Sequence, residues 1–583
     1  MEFKYRALLI NILILFAAFL IQAKDLHITG FEHRSNDEFL YYKSTQEMIQ
    51  NSDYLSPTFF GQDRFEKPVL FYWFILISYK LFGISWASAR LVSVFLGSLT
   101  VLLTWLIARR FFDKKLSLLS CLLLMSTPLF FAHTRTAVPD MPLNFFIVFA
   151  FYAFMRFLDN PQEKVYRILF FISCALGFMV KGFPALTPVL GLLVYVCWTR
   201  QFALLRRIGF LSGVIIFSLI VAPWFVYMIS VHGQSFLTHV MTHEVEHRLI
   251  SFDQGNVVFR ILGYAAHNFF YYLGILWNNV APWSLFLLAG LPYYLRRIKL
   301  GSLDREGLIF LLCWLFAVFF LFVFIALEQY NVQYLLILTT PAAILAAYIL
   351  LQPLTADNRL AKAARFLRKF VCLFVFTVGY FIYGYFFVFF TSYNQVLVGM
   401  LVLLLYVLTV LSVKRSQNPF FPPFVLAALI IVITSQMSFF QENRLSQISA
   451  LEEMAEMIHQ DKTMPVVIGI SRSVDPMKFW LFFDQKIEQG PLRDLLSHDK
   501  TVYVVLTQHQ LKDQKDNEVF TAIQQGRTDE LPTGQYTIVH ESTIIAKKMS
   551  LDKGFFKALV LFDRKTVDSY VREKIYLIRK LKS

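Results

Sequence analysis

Two short polar stretches near the start of the chain carry residues that could take part in catalysis or binding. The first is Ser35-Asn36-Asp37-Glu38, and the second is Phe65-Glu66-Lys67-Pro68, which leads into a run of aromatic and apolar residues. A carboxylate such as that of Asp37 can act as a general base, and the ammonium group of Lys67 can bind a phosphate. Paired acids are also common in solvated loops, and a lysine can simply extend its ammonium group towards a polar surface. These two stretches alone leave both interpretations open.

Two further stretches combine charge with very short length. Arg135-Thr136-Ala137-Val138-Pro139-Asp140 joins two apolar runs, and Lys181-Gly182-Phe183 separates two others. A connection this tight rarely needs both an arginine and an aspartate for solubility. Ionisable groups at the depth of a membrane cost free energy and usually have a function. Both stretches therefore supply candidate site residues.

A histidine-rich segment lies further along the chain. His239, His243 and His247 follow one another at intervals of four residues, so all three can share one face of a helix. Acidic residues and Arg248 are interspersed, and His267 follows. Such a set could bind zinc. A histidine-rich amphipathic segment at a membrane surface explains the same pattern, and the sequence favours that interpretation.

Composition indicates the environment in which these residues act. Hydrophobic residues make up 57% of the 583 residues and charged residues only 16%, against about 25% in a typical globular domain. Most of the chain must therefore be solvated by lipid. The formal net charge of +15 is typical of basic cytoplasmic loops and does not require nucleic acid as a partner. The five cysteines lie within apolar runs, which indicates packing rather than disulfide or metal chemistry.

Thirteen apolar runs are long enough to cross a membrane. They are 7–23, 87–108, 117–134, 141–158, 168–180, 184–199, 208–229, 270–295, 307–327, 334–352, 370–390, 395–413 and 420–438. The short run 168–180 could continue past Lys181. Clusters of lysine and arginine follow every second run, beginning with Arg109 and Arg110. These loops are therefore predicted to be cytoplasmic, together with the N-terminus.

This topology divides the chain into two predicted domains. Residues 1–439 form a transmembrane domain of a multi-pass protein of the bacterial inner membrane, with interfacial helices in its first outer loop, residues 24–86. An odd number of spans places residues 440–583 on the periplasmic side. β-branched runs at Pro465–Ile470, Thr501–Leu506 and Tyr536–Ala546, and an amphipathic helix at Met454–His459, predict a small α/β domain there. The candidate site residues then fall in the outer loops and predict a cavity that opens on the outer face.

A series of short motifs follows in order within residues 1–350. They are Asp37-Glu38 with Tyr41, Glu66-Lys67-Pro68 with Tyr72-Trp73, Lys80-Leu81-Phe82-Gly83, Ala89-Arg90-Leu91, Arg135 with Asp140-Met141, Lys181-Gly182, Ala222-Pro223-Trp224, His243 with Arg248, His267 with Tyr271-Tyr272, and Pro282-Trp283-Ser284. In this order they resemble the aminoarabinose (lipid A) transferase and protein O-mannosyltransferase superfamily. Its members are integral-membrane glycosyltransferases of the GT-C fold. Each motif is weak by itself, but the ordered series is specific.

The resemblance implies a reaction and a set of roles. A sugar would pass with inversion from a polyprenyl-phosphate carrier to a lipid, glycan or protein acceptor, and transfer of aminoarabinose to lipid A is the analogy. Asp37 would be the catalytic base, and Asp140 would hold the acceptor or the developing charge. The implied substrate-binding residues are Glu38, Tyr41, Glu66, Lys67, Arg135, Lys181, Arg248, His267 and Tyr334.

No cofactor is required for this chemistry, because no nucleotide is released. Some members of the superfamily nevertheless have a metal at a polar site, and the corresponding candidates are Glu66, His243 and His267. Two departures reduce the positive charge on the donor side. Leu40 occupies a position where many members have arginine, and Glu328-Gln329-Tyr330 lacks a lysine that usually precedes the tyrosine. The donor sugar or the phosphate contacts could therefore differ, and an inactive relative is an alternative.

Two other classes of function are compatible with a membrane protein. A transporter or flippase for a lipid-linked substrate should have broken helices in matching halves of the chain and ionisable residues near the midplane of the membrane. The charges lie at one face instead, and the sequence has no internal repeat. A structural membrane protein would leave Asp37, Asp140 and Lys181 without a role. The sequence therefore favours the glycosyltransferase.

Overall fold

The computed structural model describes residues 2–24, 26, 37–242, 257–325 and 332–351, together with shorter stretches beyond. These shorter stretches are 423–424, 427–428, 430–431, 453–454, 457–458, 467–471, 487–490, 496, 502–507, 514–525, 535–545 and 572–581. The chain divides into two compact units. One comprises residues 1–27, 40–385 and 394–436, and the other comprises residues 28–39, 386–393 and 437–583. The predicted domain boundary at residues 439 and 440 lies outside the described residues and stays a prediction.

Helices dominate the described part of the chain up to residue 351. They are α1 (Glu2–Ala23), α2 (Asp37–Asn51), α3 (Leu70–Phe82), α4 (Trp86–Phe111), α5 (Lys114–Met125), α6 (Pro128–Thr134), α7 (Asp140–Asp159), α8 (Lys164–Lys181), α9 (Thr187–Thr199), α10 (Ala203–Ile208), α11 (Phe210–His239), α12 (Val257–Asn279), α13 (Trp283–Lys299), α14 (Arg305–Phe320) and α15 (Thr339–Leu351). 3₁₀ turns at Phe183–Leu186 and Val332–Leu338 precede α9 and α15, and a π turn at Leu321–Ile325 follows α14. A small hairpin of β1 (Thr58–Phe59) and β2 (Gln62–Asp63) lies between α2 and α3.

Several of these helices are long and apolar enough to cross a membrane. Within the described residues they number six: Tyr5–Ala23, Trp86–Phe111, Asp140–Asp159, Phe210–Thr242, Arg305–Val323 and Val332–Leu351. A seventh span arises if α5 and α6 are counted together, although the pair bends by 68°. Pro128 begins α6, a position at which its missing N–H costs nothing, so the bend falls between the two helices. The predicted spans 370–390 and 395–413, and most of 420–438, lie outside the described residues, so the count of thirteen stays a prediction.

The predicted span 270–295 is wrong as a single helix. Residues 270–295 belong to two helices, α12 and α13, which are separated by residues 280–282. Pro282 has no N–H to continue the helical hydrogen-bond pattern. The N–H groups of Trp283 and Ser284 both donate to the carbonyl of Val280, at 3.0 and 3.2 Å. The interruption is invisible to an average of hydropathy, because the residues around it are themselves largely apolar.

The core of the helical unit lies among α4, α5, α7, α13, α14 and α15. Nearly every residue of α15 is buried, which explains why this helix is apolar on all its faces. Phe151 of α7 stacks on Trp314 of α14, with ring centroids 4.0 Å apart. Gly191 of α9 allows Phe151 to approach, and this close packing fixes the helices that carry the polar residues at their ends.

The second unit contains a mixed five-stranded sheet. Its strands are β3 (Val467–Ser471), β4 (Ile487–Gly490), β5 (Val502–Thr507), β6 (Gln535–Ile545) and β7 (Arg572–Leu581), with helix α16 (Gln514–Gln524) between β5 and β6. The strand order is β4-β3-β5-β7-β6, and β3 is parallel to both β4 and β5. β7 is antiparallel to β5 and β6. Three of these strands coincide with the β-branched runs that predicted them, whereas the periplasmic location of this unit stays a prediction.

Candidate active site

A buried ion pair joins the beginning of one helix to the end of the next. Lys181 Nζ lies 2.6 Å from Asp140 Oδ1, and both side chains are only 7% exposed. Asp140 is the first residue of α7, and Lys181 is the last residue of α8. A short connection makes α7 and α8 antiparallel neighbours, so the start of one helix meets the end of the other. The structure therefore brings together two residues that are 41 positions apart.

The backbone at Gly182 explains why Lys181 ends its helix. Gly182 has φ of 77° and ψ of −142°, a conformation that suits glycine and disfavours other residues. The chain then turns into the 3₁₀ segment before α9. The span that begins near residue 168 therefore does not continue past Lys181 as one helix.

Further positive charge surrounds the Asp140 carboxylate. Lys67, which lies half-buried just before α3, and His133 of α6 both attract it electrostatically. With Lys181, two lysines and a histidine therefore act on a single carboxylate. Cationic side chains that converge on one buried position are the groups that bind anions such as phosphate.

The other side of Lys181 faces an aromatic ring. Its Nζ lies 5.3 Å from the centroid of the Tyr334 ring, close enough for a cation–π contact. Tyr334 is buried on the 3₁₀ turn Val332–Leu338 and stacks on Phe322, with ring centroids 5.0 Å apart. Phe322 in turn contacts Tyr272 of α12 at 5.8 Å. These rings give the ion pair a rigid apolar wall.

Arg135 lies in the turn between α6 and α7. It caps α6 and is only 2% exposed, and its guanidinium lies 5.2 Å from the centroid of the Phe131 ring. A buried arginine is costly in free energy unless its charge is used. The turn therefore carries a buried cation five residues before Asp140.

The residues before α3 are held by a separate network. Glu66 pairs with Arg64 at 3.0 Å, and the Arg64 guanidinium lies over the ring of Tyr41 at 5.0 Å. Tyr41 is buried against Phe71 and Tyr72, each with a centroid distance of 5.1 Å. Tyr41 and Glu66 thus lie in the same network, through Arg64.

Asp37 and Glu38 begin helix α2. Asp37 is exposed, whereas Glu38 is 2% exposed. Two acids in the first turn suit the positive end of the helix dipole. The accessible carboxylate of the two is that of Asp37, which is a requirement for a general base.

One metal candidate, His243, lies outside the described residues, as does the substrate-binding candidate Arg248. His267 is exposed on α12 with its ring stacked on Tyr271, at a centroid distance of 6.4 Å, and Glu66 is paired with Arg64. Over the part of the chain that the structure describes, no three His, Cys, Asp or Glu side chains converge as a metal site. Zinc takes three or four protein ligands, so the metal stays a prediction.

Sequence reasoning missed two residues of this site. His133 lies two positions before Arg135, and a histidine next to a charged tip at membrane depth was a usable signal. Phe322 gave no signal, because one phenylalanine among 63 cannot be distinguished by its type.

Comparisons with known proteins agree with this architecture. Residues 66–227 match the family model described as dolichyl-phosphate-mannose-protein mannosyltransferase. The structure of ArnT from Cupriavidus metallidurans bound to undecaprenyl phosphate has a TM-score of 0.63 with this chain at 17% identity, covering 97% of each chain. The chain therefore has the GT-C fold and is an integral membrane protein.

Curated proteins with similar sequences match about half of this chain. The undecaprenyl phosphate-alpha-4-amino-4-deoxy-L-arabinose arabinosyl transferase of Pseudomonas aeruginosa strain LESB58 is 30% identical over 337 residues, 56% of this chain and 57% of the relative. The corresponding transferase 1 of Pseudomonas fluorescens strain Pf-5 is 32% identical over 286 residues, 48% of this chain and 49% of the relative. An uncharacterized protein of Aquifex aeolicus is 25% identical over 343 residues, 59% of this chain and 62% of that protein. The chain thus spans about half the length of the curated relatives it matches. The resemblance to the aminoarabinose transferase and protein O-mannosyltransferase superfamily is confirmed.

Proposed function

We propose that this chain is an inverting glycosyltransferase that moves a sugar from a polyprenyl-phosphate carrier to a lipid acceptor. The observation that carries the proposal is the cluster around Asp140, where Lys181, Lys67 and His133 act on one carboxylate. A cluster of cationic side chains in a largely apolar protein suits a lipid-linked phosphate. Curated relatives named for undecaprenyl-phosphate donors support the same donor class.

Bond making and bond breaking follow from these roles. The Asp37 carboxylate accepts the proton of the acceptor hydroxyl, and the hydroxyl oxygen attacks the anomeric carbon of the sugar. The bond between that carbon and the phosphate oxygen breaks, and the polyprenyl phosphate leaves with the electron pair. Attack opposite the leaving group inverts the configuration at the anomeric carbon.

The cations stabilise the leaving group. Negative charge grows on the phosphate as the bond breaks, and preorganised cations lower the energy of that transition state. Lys67 is suited to this role because it is half-buried and acts electrostatically on the same carboxylate as Lys181. Lys181 holds Asp140, and Arg135 and Arg248 complete the proposed phosphate contacts. Tyr334 forms the wall beside Lys181.

The acceptor side is proposed from the relatives. The curated relatives are named for transfer of 4-amino-4-deoxy-L-arabinose from undecaprenyl phosphate. By analogy we propose lipid A as the acceptor and the outer face of the bacterial inner membrane as the location of the reaction. Glycan and protein acceptors are alternatives to be distinguished by experiment. Glu38, Tyr41, Glu66 and His267 are the proposed residues for the sugar and acceptor.

The test is sugar transfer by the full-length protein in liposomes. A panel of polyprenyl-phosphate sugars is supplied with lipid A, a glycan or a peptide, and the products are identified by mass spectrometry. We expect a glycosylated lipid that depends on the polyprenyl-phosphate donor. Mass analysis of lipid and glycoprotein fractions from a deletion strain identifies the acceptor independently. Failure of every donor to support transfer, from a protein that is folded, would overturn the proposal.

A further inference from the structure

A hydrogen-bonded chain of three side chains lies outside the cluster around Asp140. His232 Nε2 lies 2.8 Å from Ser56 Oγ, and His232 Nδ1 lies 3.2 Å from Asp63 Oδ2. Ser56 is buried, the His232 side chain is 13% exposed, and Asp63 is about half exposed. With Nδ1–H donating to Asp63, Nε2 of the neutral ring accepts from the Ser56 hydroxyl. These three side chains link α11 to the segment between α2 and α3.

The order serine, histidine, aspartate is that of a nucleophilic triad, but the backbone does not suit acyl transfer. The N–H groups of Leu55 and Ser56 both donate to Asp53 Oδ1, at 2.9 and 3.1 Å. They are therefore not free to stabilise an oxyanion at Ser56. The Ser56 hydroxyl also contacts the sulfur of Met228 at 3.7 Å. These contacts instead attach the segment between α2 and α3 to α11.

A stripe along α11 makes this attachment continuous. Trp224, Met228 and His232 follow at intervals of four residues, so they share one face of the helix before its break at Gly233. Phe236 follows the break and extends the stripe, with its ring centroid 5.8 Å from that of Trp224. Trp224 Nε1 donates to the Leu55 carbonyl at 3.0 Å, and the next two residues of the stripe contact Ser56.

The C-terminal part of the stripe holds Phe65. The Phe65 ring lies 5.0 Å from His232 and 5.4 Å from Phe236, measured between ring centroids. Gly233, with φ of 54° and ψ of −127°, breaks the helix directly after His232. His232 therefore lies at the end of the regular helix, where it holds both Asp63 and Phe65. Lys67 follows Phe65 by two residues.

We propose that His232 is a positioning residue that, through Ser56, Asp63 and Phe65, fixes the segment carrying Lys67 and so holds the Lys67 ammonium group for a lipid-linked phosphate. Lys67 is one of the cationic side chains that act electrostatically on Asp140, so its position bears on the cluster. The inference deepens the proposed function and rests on it for the identity of the ligand. The attachment itself does not depend on that identity.

The test compares His232→Ala, Asp63→Ala and Asp63→Asn with the wild type in the full-length protein. Asparagine keeps an acceptor for His232 Nδ1–H, whereas alanine removes it. Glu163→Ala is the matched control, because Glu163 is an exposed acid in the loop between α7 and α8. Thermal unfolding checks that each variant is folded.

Two readouts report the position of Lys67 without any assumption about the reaction. One is the rate at which an amine-directed reagent modifies Lys67, with exposed Lys164 as the internal reference. The other is amide hydrogen exchange of residues 56–67. We expect both to rise in the two alanine variants and to stay near wild type in Asp63→Asn and Glu163→Ala. Unchanged labelling and exchange in both alanine variants would overturn the attachment.

A third readout tests the ligand. Losing one or two hydrogen bonds should weaken binding of undecaprenyl phosphate by about three- to tenfold. In the transfer assay, the KM for the donor should rise by a similar factor while the KM for the acceptor stays constant. Faster Lys67 labelling with unchanged undecaprenyl phosphate binding would contradict the phosphate-positioning role. If the wild type binds no undecaprenyl phosphate, the proposed function fails, and the labelling data still decide whether His232 positions Lys67.

Discussion

Lys181 and Asp140 form an ion pair of 2.6 Å in which neither side chain is more than 7% exposed. Removing one partner leaves a buried charge without its ion-pair partner, which costs about 3–5 kcal/mol in comparable pairs. We therefore expect Lys181→Met and Asp140→Asn each to lower the free energy of unfolding substantially, as measured by denaturation in detergent. Lys164→Met, at the exposed start of the same helix, should change it little.

The double variant Lys181→Met with Asp140→Leu separates stability from function. It removes both charges and should recover part of the lost stability, because replacing a buried pair by apolar side chains is often neutral or stabilising. The double variant should not transfer sugar, because the cluster has lost both charged residues. Recovery of transfer together with stability would show that the pair serves only the fold.

Asp37→Asn tests the proposed base. Asparagine is compatible with the start of α2, so the protein should fold with an unchanged melting temperature. Loss of a general base typically lowers the rate by about 10²–10⁴-fold. The measurement is initial-rate kinetics with a polyprenyl-phosphate sugar donor. Full activity in this variant would refute the assignment of Asp37.

Chelation tests whether a metal takes part. The proposed chemistry uses cationic side chains for the leaving group, so we expect transfer to survive EDTA. His267→Ala should then act, if at all, through substrate binding, because His267 is exposed and stacked on Tyr271. Elemental analysis of the purified protein and assays of His243→Ala complete the experiment. Loss of activity on chelation, restored by zinc, would establish a metal site and contradict this expectation.

Local patterns in the sequence predicted much of the fold, because a helix in lipid needs a continuous apolar run. The run 87–108 corresponds to α4, and 141–158 corresponds to α7. Hydropathy failed at Pro282, where the interruption comes from backbone geometry within a largely apolar run. It also missed the bend before Pro128, for the same reason.

Pairings over long distances in the chain could not be predicted in this way. The sequence identifies Asp140 and Lys181 as candidate site residues in separate motifs, yet their contact depends on the antiparallel packing of α7 and α8. The approach of His232 to Ser56 joins residues 176 positions apart, and neither residue has an unusual sequence context. Only the packing of α11 on the segment before α3 brings them together.

The packing of Phe151 against Gly191 yields a prediction about stability. A methyl group added at Gly191 would lie 2.6 Å from Cε1 of Phe151, which is far inside van der Waals contact. Phe151 cannot move away easily, because it is buried and stacked 4.0 Å from Trp314. We expect Gly191→Ala to destabilise the protein by about 1–3 kcal/mol, a typical cost of overpacking.

Gly274→Ala is the matched control, since a methyl group there meets no atom within 4 Å and alanine favours the helix. Thermal unfolding should therefore distinguish the two substitutions, with a lower melting temperature for Gly191→Ala and an equal or higher one for Gly274→Ala. Equal melting temperatures for both variants would mean that α9 can shift away from α7 and α14, and that this contact does not fix the helices at the site.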